Sequence, residues 1–323
     1  MNKRSLLPAA GLLLAVWLLV WKRRAFLSPS NRERPVVGDD RYAMIGSYRV
    51  HYVEAGHGPP LILIPGSFFD YHEWDLLMPL LVDDFRLIAV DYLGVGDSDK
   101  PISGFDYSVQ AQAEVVHGLL DALKIPKANV MGVSYGASIA LYLGARWPER
   151  VNKVISIEGF TNVENVRLPW VDSLASLLST PVVGNLFIFL IQTGLLDGIR
   201  TALAMRQERV PSDPKKVERI ERIVRASSRG ATVWGWRGIA MSRVTSTIRS
   251  HHEPGLLRGG TVPVLQLVGT ASVFKKAIQP SLQELGHLPN VSIVTIEGGG
   301  HDVQLQKPEV VARIVREFFA KDP

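Results

Sequence analysis

The 323-residue sequence predicts an α/β fold, a mostly parallel sheet with helices on both faces, and three observations carry that reading. Short runs rich in Val, Ile and Leu alternate with stretches of helical periodicity. Most of these runs are predominantly apolar, which is the pattern of strands covered on both sides. The alternation then lapses for about ninety residues between Gly159 and Ser250, where helical patterns follow one another with no strand between them. A helical unit is therefore expected as an insertion between two halves of one α/β core.

Residues 1–30 come first. An uncharged run from Ser5 to Trp21 lies between Lys3-Arg4 and Lys22-Arg23-Arg24. Bulky Trp21 and three cations stand where a cleavage site needs small residues, so the run is expected to be a retained transmembrane anchor. Trp17 and Trp21 suit a lipid–water boundary, and the positive-inside rule, applied to the larger basic cluster after the run, favours a cytoplasmic domain. Residues 1–34 carry a net charge of +6 against +5 for the whole chain, so the remainder is close to neutral. The basic pI is thus a property of the N-terminus, and no nucleic-acid partner is expected. The absence of cysteine excludes disulfides and thiolate metal sites.

Residues 31–159 form the first part of the core. Tyr48–Glu54 alternates like a half-exposed strand, while 61–64, 86–90, 129–133 and 153–157 are predominantly apolar and read as strands mostly buried on both faces. Helical patterns cover 108–123 and 137–146. The insertion, residues 160–250, contains thirteen Lys/Arg against seven Asp/Glu, and Val217, Ile220, Ile223 and Val224 share one helical face. Residues 251–323 return to the core with strands at 264–268 and 291–296 and a final helix at 308–319.

The sequence Gly132-Val133-Ser134-Tyr135-Gly136 ends a strand and begins a helix within five residues. Such a turn forces an unusual backbone at the serine and close approach of the flanking chain, both of which glycine tolerates. It lifts the hydroxyl out of the sheet and aims the backbone N–H groups of a helix N-terminus at any oxyanion beside it. Ser134 is the candidate nucleophile.

Four segments in order resemble the α/β-hydrolase family, specifically the capped branch that contains esterases, epoxide hydrolases and haloalkane dehalogenases. They are Leu61–Trp74, similar to the strand and oxyanion loop; D-Y-L-G-V-G-D-S-D-K-P at 91–101, similar to the D-x-x-G-x-G-x-S-x-x-P turn; the elbow around Ser134; and E-G-G-G-H-D at 297–302. The resemblance covers about residues 41–159 and 251–320, makes residues 160–250 a helical cap, and implies no metal or organic cofactor. The oxyanion loop departs from it, with Pro65-Gly66 where the family has His-Gly. Backbone N–H groups are the donors in this family, which by position are those of Ser67 and Tyr135.

Among eight histidines, His301 follows the last strand and three glycines, where the family places its base. The acid usually stands after the preceding strand, but this chain reads Gly269-Thr270-Ala271-Ser272-Val273-Phe274 there and holds no carboxylate. Glu158, which ends V-I-S-I-E, resembles the arrangement in a branch of the dehalogenases and is the expected acid. Asp302 is expected to point away from the ring, and Asp91 to brace its own turn. A serine at the elbow disfavours epoxide and haloalkane chemistry, since both use a carboxylate nucleophile. The expected function is a membrane-anchored serine hydrolase that cleaves a lipophilic small-molecule ester through a Ser134-His301-Glu158 triad. Carbon–carbon bond hydrolysis, lactone hydrolysis and a non-catalytic binding role stay open as alternatives.

Overall fold

A computed structural model describes residues 3–161, 169–207, 214–245 and 260–320. His251, His252 and the expected boundary at 250/251 lie outside the described residues. The sheet has eight strands: β1 (Asp39–Ile45), β2 (Tyr48–Ala55), β3 (Pro60–Ile64), β4 (Arg86–Val90), β5 (Ala128–Val133), β6 (Val151–Ile157), β7 (Val264–Gly269) and β8 (Val291–Ile296). Their order is β1-β2-β4-β3-β5-β6-β7-β8. The β1/β2 and β2/β4 pairs are antiparallel and every later pair is parallel.

The predominantly apolar runs become strands buried on both faces because successive side chains point to opposite sides of a sheet. In β3, Ile62 and Ile64 enter one core layer with Val116 and Leu119 of α3 (Val109–Ala122) and Ile139 and Leu143 of α4 (Tyr135–Arg146). Leu61 and Leu63 enter the opposite layer with Met78 and Leu81 of the short α2 (Met78–Leu81) and Val311 and Val315 of the C-terminal helix Pro308–Ala320. Ser108 starts α3 by accepting the Ala111 N–H at 2.9 Å, which satisfies a donor that the helix itself leaves open. The edge strand β1 was not expected. Its sequence, Asp-Asp-Arg-Tyr-Ala-Met-Ile, is polar and mostly exposed, and only pairing with β2 fixes it.

Between β6 and β7 the described residues form α5 (Pro169–Ser179), α6 (Pro181–Ile191), α7 (Asp197–Gln207), α8 (Pro214–Gly230) and α9 (Val233–Thr245). These helices have a small core of their own, built from Leu178, Ile188, Ile191, Val233, Trp236 and Ala240, with Phe68 of the β3 loop packed against it. The predicted apolar face of α8 splits between two neighbours. Ile220 and Val224 meet Ala204 and Met205 of α7, whereas Ile223 packs on Leu76 and Leu305 of the α/β layers.

The N-terminal helix α1 (Lys3–Phe26) corrects one expectation. Among the described residues no helix is long and apolar enough to cross a membrane, which overturns the reading of residues 1–30 as a transmembrane anchor and, with it, the single-pass placement with a cytoplasmic domain. The physical reason is length. A helix from Ser5 to Trp21 rises roughly 25 Å at ~1.5 Å per residue, short of the ~30 Å hydrocarbon core. The end of α1 is tied to the inserted helices instead. Arg23 donates to Gln192 Oε1 at 2.8 and 3.0 Å, and Arg229 of α8 reaches the backbone carbonyls of Phe26, Leu27 and Ser28 at 3.0, 3.1 and 2.9 Å. Glu33 then pairs with Arg222 and Arg225, and Arg32 with Asp40 and Asp97. Residues 23–40 therefore lie as a strap that joins α8 to the sheet edge.

Replacing Arg229 with Ala unties three carbonyls at once. The expected loss is about 1–2 kcal/mol, or roughly 2–3 °C in Tm for a chain of this size, read by differential scanning fluorimetry of the full-length protein. An unchanged Tm would show that the strap contributes nothing to the fold.

Candidate active site

The elbow answers the sequence pattern in steric terms. Ser134 has φ +52° and ψ −113°, a left-handed backbone that a side chain adopts only under constraint. A Cβ on Gly132 would run into the Gly136 carbonyl, and one on Gly136 into the carbonyl oxygens of Ile64 and Pro65. The two glycines therefore let the strand, the helix and the β3 loop meet at the serine. The Ser134 N–H donates to Ile157 O at 2.8 Å, so the serine stands beside the end of β6.

Glu158 is the next residue of β6 and also has positive φ, +51°. Its N–H donates to Leu267 O at 2.9 Å, and its side chain is fully buried. Oε1 accepts the Gly269 N–H at 2.9 Å, and Oε2 accepts the Ser272 hydroxyl at 2.7 Å and lies 3.2 Å from His301 Nδ1. The turn after β7 thus supplies two donors to the carboxylate where an acid was missing. Ser272 is itself oriented by the Phe274 N–H at 3.1 Å, and the Phe274 ring meets the imidazole edge to face at 4.3 Å. His301 sits in the loop between β8 and α10 (Val303–Gln306), 6% exposed. Contrary to expectation, Asp302 does not turn away: its Oδ1 is 4.0 Å from His301 Nε2, the nitrogen not facing Glu158.

Asp91 takes another part. Its Oδ2 is 2.7 Å from His51 Nδ1 and accepts the Asp97 N–H, while Oδ1 accepts the Tyr71 N–H. Burial pushes the Asp91 carboxyl up, but His51 and these N–H groups outweigh it and hold it below the usual carboxylate range. It braces the turn and pairs with His51.

The β3 loop passes over the start of α4, with the carbonyl oxygens of Ile64 and Pro65 against Gly136. Phe68 has φ +70° and its ring lies 5.2 Å from Trp236 of α9. Two residues that the sequence did not mark stand behind this loop. Glu73, buried to 1% exposure, accepts the Gly66 N–H at 2.6 Å, and Tyr92, fully buried, donates its hydroxyl to Gly66 O at 2.8 Å. A carboxylate inside the otherwise buried stretch Tyr71–Trp74 was the only available signal. Among the described residues no group of three or more His, Cys, Asp or Glu could hold a metal ion.

The sheet order, the inserted helices and the strained serine turn define a hydrolase fold of the α/β type, and the family profile described as alpha/beta hydrolase fold matches residues 59–308. The chain belongs to the α/β-hydrolase fold family. It is similar to a soluble epoxide hydrolase of Corynebacterium sp., 28% identical over 293 residues that span 86% of this chain and 96% of that protein. It is also similar to a 2-(acetamidomethylene)succinate hydrolase of Mesorhizobium japonicum, 28% identical over 281 residues, 85% of this chain and 93% of that one. Among solved structures, the epoxide hydrolase CorEH without ligand shares the fold at a TM-score of 0.63 and 24% identity, covering 87% of this chain and 98% of its own.

Because the obstacles around Gly136 are backbone carbonyls, they cannot rotate aside. Gly136→Ala is expected to cost about 3 kcal/mol of stability. Urea denaturation measures this, and a midpoint equal to that of the wild type would contradict the tight approach of the β3 loop.

Proposed function

We propose that the protein is a serine hydrolase of carboxylic esters that works through an acyl-enzyme on Ser134. The observation that carries the reading is the Glu158–His301 contact one residue beyond the backbone bond that joins Ser134 to β6. With Nδ1 toward Glu158, His301 offers Nε2 as the base. It takes the Ser134 hydroxyl proton as the oxygen attacks the ester carbonyl, and the N–H groups of Ser67 and Tyr135 receive the oxyanion. The tetrahedral adduct expels the alkoxide, which takes the proton from His301. Water then attacks the acyl-enzyme with His301 again as base, and releases the acid and free serine. Glu158 holds the ring in one tautomer and balances the imidazolium charge.

A serine oxygen also argues against attack on an epoxide or haloalkane carbon. That attack would leave an ether, which water does not cleave under these conditions, whereas an acyl-serine is cleaved readily. A fluorophosphonate probe and p-nitrophenyl esters of graded chain length are the direct tests, with labelling at Ser134 and ester turnover expected.

Ser134→Ala and His301→Ala are each expected to lower kcat by roughly 10³-fold or more, and Glu158→Gln by roughly 10²- to 10⁴-fold with little change in Tm. Full activity in purified Ser134→Ala protein would refute the mechanism, and full activity in Glu158→Gln would remove the glutamate from it. Adding Ser272→Asp to Glu158→Gln places a carboxylate at the other strand end and is expected to restore part of the rate.

A further inference from the structure

We infer that Glu73 and Tyr92 are the positioning residues of the oxyanion hole, clamping the two peptide groups of Gly66 so that the Ser67 N–H faces the reacting carbonyl. The inference rests on the ester-hydrolase reading above, since it concerns the donor which that reading assigns to Ser67. Pro65, before the glycine, has neither an N–H nor a polar side chain to fix the loop.

A trans peptide is one rigid plane in which the carbonyl of one residue and the N–H of the next point in opposite directions. No peptide of the described chain is cis. Whatever holds Gly66 O therefore aims the Ser67 N–H. The Tyr92 hydroxyl holds it at 2.8 Å, closer than the turn bond from the Phe69 N–H at 3.3 Å. Burial raises this hydroxyl well above its ordinary pKa, Tyr135 and Glu73 add to the shift, and a backbone hydrogen bond from Phe68 works against it. The Tyr92 ring meets Tyr135, which carries the second donor, edge to face at 5.4 Å.

Glu73 fixes the preceding plane. Its Oε2 accepts the Gly66 N–H at 2.6 Å, while Oε1 accepts Gln304 Nε2 at 3.3 Å from α10, three residues after His301. One side chain thereby ties the oxyanion loop to the segment that carries the base. Burial lifts the Glu73 carboxyl well above the usual range, nearby Asp302 adds to this, and the Gly66 N–H opposes it. A buried carboxyl is a costly way to fill space that leucine fills by packing alone. What it adds is an acceptor aimed at Gly66. The loop needs holding, because Phe68, with φ +70°, is in a conformation that relaxes once its surroundings release it.

The test uses full-length protein, a p-nitrophenyl ester and a trifluoromethyl ketone that forms a tetrahedral adduct on the serine. Oxyanion donors act mainly in the transition state, so Tyr92→Phe is expected to lower kcat roughly 10- to 100-fold with KM within about twofold. Affinity for the ketone should fall by a similar factor while Tm stays near that of the wild type. Glu73→Leu is expected to behave alike. Glu73→Gln should stay within about threefold of the wild type, because its amide carbonyl accepts the Gly66 N–H and its NH₂ group faces Gln304, whose Oε1 has no partner among the described residues. If Glu73→Leu fails to fold, Tyr92→Phe decides the matter. An active wild type with Tyr92→Phe at full rate and full ketone affinity overturns the clamp and leaves the hydrolase reading intact. A wild type that neither cleaves the ester nor takes a fluorophosphonate overturns that reading and the clamp together.

Discussion

The Glu158 carboxylate, fully buried at the end of β6, is the charge around which the carboxyl edge of the sheet is arranged. An isolated carboxylate costs several kcal/mol to bury, so its surroundings must supply donors. Here the donors come from two other strand ends. The Gly269 N–H and the Ser272 hydroxyl belong to the β7 turn, and the His301 imidazole belongs to the loop after β8. One side chain therefore sets the relative positions of three loops that sequence leaves far apart, because neighbouring parallel strands end side by side.

That arrangement depends on close backbone approach, which is where the small residues enter. Gly269 is pressed against the carbonyls of Gly299 and Gly300, as Gly136 is against those of Ile64 and Pro65. The first approach brings the histidine loop down onto the β7 turn, and the second brings the oxyanion loop against the elbow. Ser134 and Glu158 both hold left-handed backbone at adjacent strand ends. The strain is maintained by ladder bonds on either side of it, Ser134 N–H to Ile157 O and Glu158 N–H to Leu267 O.

Much of this was legible in the sequence, for reasons that differ from residue to residue. Strands β3 to β7 declared themselves because burial on both faces demands runs that are mostly apolar rather than alternating. Ser134 was marked by the glycines its turn requires sterically, and His301 by its place after the last strand and three glycines, where the resemblance puts the base. Glu158 was singled out because the β7 turn lacks an acid and V-I-S-I-E resembles a branch of the dehalogenases, but Ser272 as its hydrogen-bond donor was not foreseen. Nor were Tyr92 and Glu73, since their work depends on which peptide groups they meet across the fold. Strand β1 was hidden by a polar sequence that only an edge tolerates. The N-terminal anchor was expected from an apolar run flanked by cations and bulky tryptophans, although that run is shorter than a bilayer crossing needs, and the sequence did not show that Arg23 and Arg229 tie the end of α1 to the inserted helices.

The fold itself does not choose the reaction, since proteins similar to this one over most of their length bear names as different as epoxide hydrolase and 2-(acetamidomethylene)succinate hydrolase. The choice lies in a few atoms at the strand ends. Under the proposed reading, a carboxylate at the elbow would form an ester that water can open, whatever saturated carbon it had attacked. A serine oxygen there gives a cleavable intermediate only with an acyl carbon, and an acyl transition state puts negative charge on an oxygen that must be met by donors. Serine at the elbow and a rigid β3 loop are then one requirement rather than two. This links the identity of residue 134 to the unusual burial of Glu73 and Tyr92 behind Gly66, on the far side of the loop from the reacting carbonyl.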